Sequence, residues 1–248
     1  MAKESYRGFV PAVLSQSMRF KAFVYREELN NVNGRFARIF LLSRKPHIPK
    51  SKPKATENRK YISNSEQIFF GGVEYKVNSR PTGIYSEMLL RVLKELELAQ
   101  QLWGRVLVVR VDLHQARYTE DSEQVSWFFK QMVRKLKRKY RLSQVGYFWV
   151  REHERAKAQH YHCWFFLDGN KIKHSSKLIQ LAKDTWVKNW AGNHHIPTTK
   201  KPFRLIDSEE VKHEVVFWLS YGGKGRGKGY RPPQSKDYST SRLKAQKE

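Results

Sequence analysis

Two histidines one residue apart, His160 and His162, are the side chains best placed to do chemistry. In a β-strand, side chains two positions apart share a face, so the two imidazoles would lie side by side and could share one cation. A hairpin would bring Glu152, at the end of the preceding apolar stretch, opposite them. Two imidazoles and a carboxylate suit Mg²⁺ or Mn²⁺ when a substrate phosphate supplies further oxygens. Glu154 is the alternative third ligand, although Glu152 lies nearer the strand.

A tyrosine and a lysine further along the chain form a second candidate site. Tyr221 and Lys224 are three residues apart, so one helical turn would set phenol and ammonium on the same side. A tyrosine oxygen is a poor nucleophile at its free pKa, and a metal-polarised phosphate or a nearby cation would help it to attack. Gly222 and Gly223 weaken helix formation at this point, so the turn is expected to be frayed or bent.

The spacing of apolar residues predicts the elements that must position these side chains. An amphipathic helix is predicted before Gly104, and from Val106 the order is strand, helix, strand, strand, helix, strand, helix. This order predicts an α+β fold: a central, mostly antiparallel sheet with flanking helices, of the split βαβ or RRM-like kind. The predicted helices are Pro81–Leu102, one carrying Val125 to Leu136, Ser175–Trp190, and one from Asp207 toward Tyr221; the strands are Val106–Val111, Gln144–Glu152, His160–Leu167 and Phe203–Ile206.

The charge of the chain predicts a polyanionic partner. Among 248 residues, 48 Lys and Arg face 23 Asp and Glu, which gives a net charge of +25. Cations that neutralise phosphates release counterions, so nucleic acid is the expected partner. An aromatic content of 13% excludes a disordered basic protein, and the single cysteine excludes a disulfide framework or a cysteine-based zinc cage. The candidate nucleic-acid-binding residues are Lys130, Arg134, Lys137 and Arg138 on the cationic face of the second helix, and Arg226 and Lys228 in a glycine-rich segment.

The chain divides by composition into three regions. Residues 1–80 form a basic N-terminal region with a lysine- and proline-rich linker or arm at Arg44–Lys60, which reads equally as solvated chain or as an arm along a phosphate backbone. Residues 81–230 form the predicted functional domain, and residues 231–248 a flexible basic tail. No signal peptide is visible and the apolar runs are too short to span a bilayer, so we expect a soluble intracellular protein without a membrane partner.

Three motifs in this order resemble those of the HUH endonuclease superfamily, which initiates rolling-circle replication or plasmid transfer. The first-strand motif corresponds to Val106–Leu113, the histidine motif to His160-Tyr161-His162 with Glu152 eight residues upstream, and the tyrosine motif to Tyr221-Gly-Gly-Lys224. The chain looks most like the replication-initiator-like proteins of filamentous phages (inoviruses), which also occur in bacterial prophages. The resemblance covers about Ile84 to Tyr230.

The resemblance implies a single-tyrosine nickase and ligase for single-stranded or hairpin DNA at a replication origin. Tyr221 would attack a DNA phosphate, leaving a 5′-phosphotyrosyl bond and a free 3′-OH for a polymerase, while Lys224 would steady the phosphate or the phenolate. Glu152, His160 and His162 would hold Mg²⁺ or Mn²⁺. The setting would be the cytoplasm of a bacterial host, with a host helicase and polymerase as further partners. Tyr230 and Tyr238 are the next candidates for the nucleophile.

Two other functions remain open at this level. A prophage regulator on the same fold could have lost nicking and kept DNA recognition through the cationic helix and the glycine-rich tail. A ribosome-associated or RNA-binding protein would also explain the charge, but it leaves the paired histidines and their upstream acid without a role.

Overall fold

The computed structural model describes residues 57–153, 158–190 and 194–245. They form an α+β fold with a five-stranded antiparallel sheet and flanking helices, which confirms the predicted fold class. From Val106 onward the helices and strands follow the predicted order, and one further strand follows the last helix. The strands are β1 (Ile62–Ser63), β2 (Gln67–Phe70), β3 (Val73–Lys76), β4 (Ile84–Tyr85), β5 (Val106–His114), β6 (Gly146–Glu152), β7 (His160–Asp168), β8 (Phe203–Ile206) and β9 (Tyr238–Thr240); the helices are α1 (Ser86–Trp103), α2 (Glu123–Tyr140), α3 (Ser176–Val187) and α4 (Glu209–Ser220).

The central sheet has the strand order β8-β5-β7-β6-β9. Strand β7 lies in the middle, with β5 on one side and β6 on the other, so the predicted hairpin of β6 and β7 is present. The connection between β6 and β7 falls partly on residues 154–157, outside the described residues. The two small sheets, β1 with β4 and β2 with β3, are also antiparallel.

Alternate residues of the central strands supply two separate cores, as the period of two in a strand requires. On one face, Trp164 and Phe166 of β7 pack with residues of α1 and α4. On the other face, Cys163 and Phe165 pack with residues of α2 and α3. The face of the sheet therefore decides which helices any side chain of β7 can reach.

Helices α1 and α4 begin later than predicted, and α3, Ser176–Val187, is shorter than the predicted Ser175–Trp190. Helix α1 begins at Ser86 rather than Pro81, because Gly83 has a positive φ of 69° that no α-helix contains, and the next two residues pair with β1 as β4. Helix α4 begins at Glu209, where the side chain of Ser208 accepts a hydrogen bond from the Val211 backbone N–H. Ser208 is therefore the N-cap, one residue after Asp207, at which the helix was predicted to begin.

The described residues that precede Pro81 are part of the packed fold. Tyr75 and Val77 are buried in the same core as α1 and α4. The predicted boundary at residue 80 therefore does not coincide with an edge of the core. Residues 1–56, with most of the predicted arm at Arg44–Lys60, lie outside the described residues.

The C-terminal segment predicted as a flexible tail contains a strand. Within 231–248, β9 pairs with β6 through Val150, Trp149 and Phe148. Ser241 donates a hydrogen bond to the buried Glu95 of α1, which fixes the segment to the helix. The sequence did not indicate this strand, because only one of its three residues has an apolar side chain. Among the described residues, none of the helices has the length and apolar content that crossing a bilayer requires.

Candidate metal and tyrosine site

The register of β6 and β7 brings the three predicted metal ligands together. Glu152 pairs directly with His160, and His162 lies two residues further along the same face. Glu152 Oε1 lies 3.8 Å from His160 Nε2, and Glu152 Oε2 lies 3.3 Å from His162 Nε2. One ligand atom from each residue lies within 4.8 Å of the others, so the three could hold a metal ion. Adjacent ligands at about 2.1 Å from one octahedral ion would be roughly 3 Å apart, close to these separations.

The ring of His162 is oriented by two residues of the neighbouring strand β5. Its Nδ1 lies 3.0 Å from Asp112 Oδ1 and 3.1 Å from Arg110 Nη2. Arg110 also donates two hydrogen bonds to Asp112, at 2.9 and 3.0 Å, which fixes the carboxylate. An ionised Asp112 accepts a hydrogen bond from Nδ1–H, so Nε2 keeps its lone pair for a metal, the arrangement common around metal-bound histidines.

The free nitrogen of His162 supports the fit of a metal ion. Nε2 is buried and has no hydrogen-bond partner among the described residues. Although Glu152 Oε2 is 3.3 Å away, the contact does not have hydrogen-bond geometry. A buried polar atom without a partner costs free energy, and a bound cation would satisfy it.

The pKa values of His160, Glu152 and Asp112 are also shifted in the direction that suits a metal ion, which requires neutral imidazole and ionised carboxylate. Burial lowers the pKa of His160 to about 4, helped by the charge of His162. Burial raises the pKa of Glu152, but His162 and the Lys228 ammonium outweigh it and hold that pKa well below its usual range. For Asp112, burial is likewise outweighed by hydrogen bonds from His162 and Arg110, which lower its pKa to about 2.

Lys228, predicted to bind nucleic acid, lies instead inside this cluster. Its side chain is 2% exposed, and Nζ donates a hydrogen bond of 2.8 Å to Glu152 Oε2. Burial lowers the pKa of Lys228, while Glu152 opposes that shift. The burial of Lys228 has a physical cause. Arg59 donates hydrogen bonds to the carbonyls of Gly225 and Lys228, and these bonds hold the glycine-rich loop against the fold.

The predicted nucleophile lies on the same face of the sheet as the two histidines. Tyr221 is the C-cap of α4, which packs over the Trp164 face of β7. Its ring centroid is 5.4 Å from that of His162, and 38% of its surface is exposed. The structure thus brings Tyr221, at the end of α4, together with the three possible ligands, which lie on β6 and β7 about 60 residues or more earlier in the sequence.

The two glycines after Tyr221 allow this close approach. A Cβ atom on Gly222 would lie 2.8 Å from Cη2 of Trp164, and one on Gly223 would lie 2.7 Å from Ile84. Any larger residue would push the end of α4 away from the sheet. The glycines shape a 3-10 turn, Tyr221–Gly223, rather than a frayed helix end.

Two cations flank the ring of Tyr221. Lys224 Nζ lies 5.6 Å from the ring centroid, as the spacing of three residues predicts for a 3-10 turn. The guanidinium carbon of Arg110 lies 4.9 Å from the same centroid and 5.3 Å from the ring of Trp164. Positive charge is therefore present on the face of the phenol and beside His162.

The cationic helix α2 does not reach this site. Its exposed residues Lys130, Arg134, Lys137 and Arg138 belong to a helix that packs on the opposite face of the sheet, against Cys163 and Phe165. Arg226 is exposed in the loop after Tyr221. The sequence could identify the cationic face of α2 but not the side of the sheet on which it packs.

The alternative residues fall in other places. Glu154 lies outside the described residues, so the structure places only Glu152 at the histidines. Tyr230 is exposed beneath the guanidinium of Arg59, at 4.5 Å. Tyr238 belongs to β9 at the edge of the sheet, and burial raises its pKa.

Sequence reasoning missed the roles of Arg110, Asp112 and Lys228. The first two interrupt an apolar strand, which is the signal that could have marked them. Their contact with His162 depends on the pairing of Asp112 with His162, which only the register of β5 and β7 reveals.

The profile of the YagK/YfjJ C-terminal domain matches residues 71–200, more than half of the chain. The match includes β5, β6, β7 and the three possible ligands, and it ends before Tyr221. Its description does not name the HUH superfamily, so that resemblance remains a prediction. No curated protein and no solved structure matches the chain. The chain belongs to the YagK/YfjJ C-terminal domain family.

Proposed function

We propose that the protein nicks and joins single-stranded DNA through Tyr221, and so initiates rolling-circle replication of a phage, prophage or plasmid. The observation that carries the proposal is the position of the Tyr221 ring, 5.4 Å from the ring of His162 on one face of the sheet and partly open to solvent. An exposed phenol beside a cluster able to hold a metal ion is the arrangement that attack on a phosphodiester requires. The association of the family with prophages agrees with this setting.

The reaction balances without an oxidant or a further reactant. The Tyr221 oxygen loses its proton to water and forms a bond to phosphorus, while the bond from phosphorus to the 3′-oxygen breaks. The leaving 3′-oxygen keeps the electron pair and takes a proton from water, which gives a free 3′-OH and a 5′-phosphotyrosyl linkage. Joining is the reverse step, in which a 3′-OH attacks the same phosphorus and the tyrosine leaves.

The residues of the chain have separate tasks in this reaction. Glu152, His160 and His162 would hold Mg²⁺ or Mn²⁺, which supplies positive charge to polarise the phosphate. Asp112 keeps the His162 ring in the orientation and tautomer that leave Nε2 free. Arg110 and Lys224, which flank the phenol, stabilise negative charge on the phosphate and on the phenolate.

The test is formation of a covalent adduct. We expect a pool of single-stranded oligonucleotides with randomised sequence, labelled at the 3′ end, to give with Mn²⁺ a labelled band that resists denaturation. Tyr221→Phe should abolish the band, because phenylalanine lacks the attacking oxygen. Tyr230→Phe, at another exposed tyrosine, is the matched control and should retain it. Equal adduct yield from Tyr221→Phe would overturn the assignment of the nucleophile.

A second candidate function is a non-catalytic prophage regulator that binds DNA on the same fold. The observation that favours it is Lys228, whose ammonium already pairs with Glu152 and competes with a metal ion. Calorimetry distinguishes the two. Strongly salt-dependent DNA binding without measurable Mn²⁺ binding would favour the regulator.

A further inference from the structure

A pocket of about 500 Å³ opens beside Tyr221. We call it the α4 pocket, and the residues that matter for its chemistry are Lys76, Arg110, Arg204, Phe217, Trp218 and Tyr221. Of these, Tyr221 and Arg110 also border the metal and tyrosine site. Its lining includes neither Lys228 nor the three possible metal ligands, so the pocket is a separate compartment that shares one wall with the site.

Two aromatic rings of the pocket, those of Phe217 and Tyr221, are exposed to solvent rather than buried in the core. Phe217 is 40% exposed and Tyr221 38%, although their neighbours Val216 and Leu219 are fully buried. Phe217 and Tyr221 are four residues apart at the end of α4, so they lie on one face. Exposed rings on one face offer a surface on which nucleobases stack without regard to sequence.

Cations accompany the rings of the pocket. The guanidinium carbon of Arg204 lies 5.3 Å from the ring of Trp218, as that of Arg110 lies 4.9 Å from Tyr221. Lys76 adds an exposed ammonium from β3. A ring with a cation beside it can hold a base on the ring and the adjoining phosphate on the cation, as in sites for single-stranded nucleic acid.

An acidic residue in the lining indicates where each part of a nucleotide would lie. Glu214 repels phosphate from its own part of the pocket, whereas a neutral base is tolerated there and can donate an N–H to the carboxylate. The phosphate therefore belongs beside Arg110, Arg204 and Lys76. A site for a simple anion would not require the two exposed rings, whereas a site for a nucleotide would.

We infer that the α4 pocket binds one nucleobase of single-stranded DNA, from a nucleotide next to the phosphodiester presented to Tyr221. The inference rests on the proposed function for the position of that phosphodiester. Because Tyr221 is a wall of the pocket and also packs against His162, a strand that places a base in the pocket passes directly over the phenol. The pocket would orient the strand before reaction.

The test measures DNA affinity without cleavage. Fluorescence anisotropy in EDTA, with a randomised single-stranded 15-mer and with oligo(dT), separates binding from nicking; the length of about 15 nucleotides covers a typical single-strand site. Phe217→Ala should weaken binding about 5- to 100-fold through loss of one stacked base. Phe217→Trp should bind like the unaltered protein. Phe69→Ala is the matched control, because Phe69 is 69% exposed outside the pocket.

A strand of the same length that is abasic throughout makes the test specific for a base in the pocket. The unaltered protein should bind it more weakly than oligo(dT), and Phe217→Ala should lower the affinity for the abasic strand no further. Equal affinity of Phe217→Ala and Phe69→Ala would overturn the inference, even where Tyr221 forms an adduct. Loss of affinity in Phe217→Ala without any adduct would leave the pocket in place and overturn the nicking proposal instead.

Discussion

At the scale of single residues, Lys228 places a positive charge where a metal ion would lie. Its Nζ is 2.8 Å from Glu152 Oε2, and both side chains are largely buried, so solvent screens the ammonium weakly. An incoming divalent ion must overcome repulsion from this charge and share the carboxylate. The strength with which the three possible ligands would bind a metal ion therefore depends on a residue that is not itself one of them.

Lys228→Met should tighten Mn²⁺ binding by about tenfold, which corresponds to about 1.4 kcal/mol. Methionine keeps an unbranched apolar side chain, shorter than lysine by the terminal nitrogen, and so removes the competing charge. Calorimetric titration with Mn²⁺ measures the change, and Lys130→Met on the far face of the sheet is the control. Weaker binding in Lys228→Met would mean that the lysine positions Glu152 more than it competes.

His194 is a second residue whose burial has a measurable consequence. It is 5% exposed, stacks against Trp190 and contacts Trp186, and its Nε2 lies 3.0 Å from Gln124 Oε1. Burial, with the charge of His195, lowers its pKa from 6.5 to about 4. The unfolded chain therefore binds one more proton than the folded chain between these two pH values.

The free energy of unfolding should consequently fall as the pH drops from about 6.5 to about 4. The contribution of His194 is present above pH 6.5 and amounts to about 1–3 kcal/mol. His194→Gln, which cannot titrate, should show a flatter dependence in urea unfolding over this range. The dependence will not vanish, because burial lowers the pKa of His114 and His160 in the same sense. If the free energy of unfolding of the two proteins has the same pH dependence, His194 is not the group responsible.

The identity of the site residues was predictable in part, and the reason is spacing. The spacing of residues along a strand or a turn determines which nearby side chains share a face. This local rule made five site residues recognisable: Glu152, His160, His162, Tyr221 and Lys224. Contacts between distant strands are not encoded in local spacing, which is why the support of His162 by β5 and the burial of Lys228 were not predicted.

At the scale of elements, the end of α4 must touch the sheet for Tyr221 to reach His162. Gly222 makes this contact, because its Cα faces the ring of Trp164, which is fully buried and cannot move aside. The helix and the turn after it thus act as one rigid support for the phenol.

Gly222→Ala should destabilise the fold by about 1–3 kcal/mol, because the new methyl group would overpack against Trp164. It should also slow adduct formation, because the clash displaces Tyr221. Trp164→Phe removes the two nearest atoms, Cη2 and Cζ3, so Gly222→Ala should cost less in that background. Urea unfolding of the four proteins of this double-mutant cycle gives the coupling. If Gly222→Ala lowers the free energy of unfolding equally in the unaltered protein and in Trp164→Phe, the new methyl group does not clash with Trp164.

The order of the elements was predictable from Val106 onward because each has a strong apolar period. The misplaced starts of α1 and α4 have local causes, a glycine with positive φ and a choice between two adjacent capping residues. The short strand β9 could not be predicted, because its stability comes from pairing with β6 and not from its own composition.

At the scale of the whole molecule, the cations considered above lie on both faces of the sheet. Arg110, Arg204 and Lys224 lie around Tyr221, whereas the four cations of α2 predicted to bind DNA lie on the opposite face. If short single-stranded DNA binds at Tyr221 as proposed, it cannot contact α2, since a sheet and a packed layer about 10 Å thick lie between them. Only a longer DNA that passes around an edge of the sheet could contact both Tyr221 and α2.

Neutralising α2 by the combined changes Lys130→Gln, Arg134→Gln, Lys137→Gln and Arg138→Gln should therefore have an effect that depends on DNA length. Binding of a strand of about 8 nucleotides should be unchanged, while a strand of about 30 nucleotides should bind more weakly, with the slope of log K against log salt reduced by up to about 3. These side chains are exposed, so folding should be retained. Equal losses for both lengths would mean that the helix acts through the general field of the protein. No loss for either would show that the cationic helix, the most conspicuous feature of the sequence, lies outside the path of the DNA.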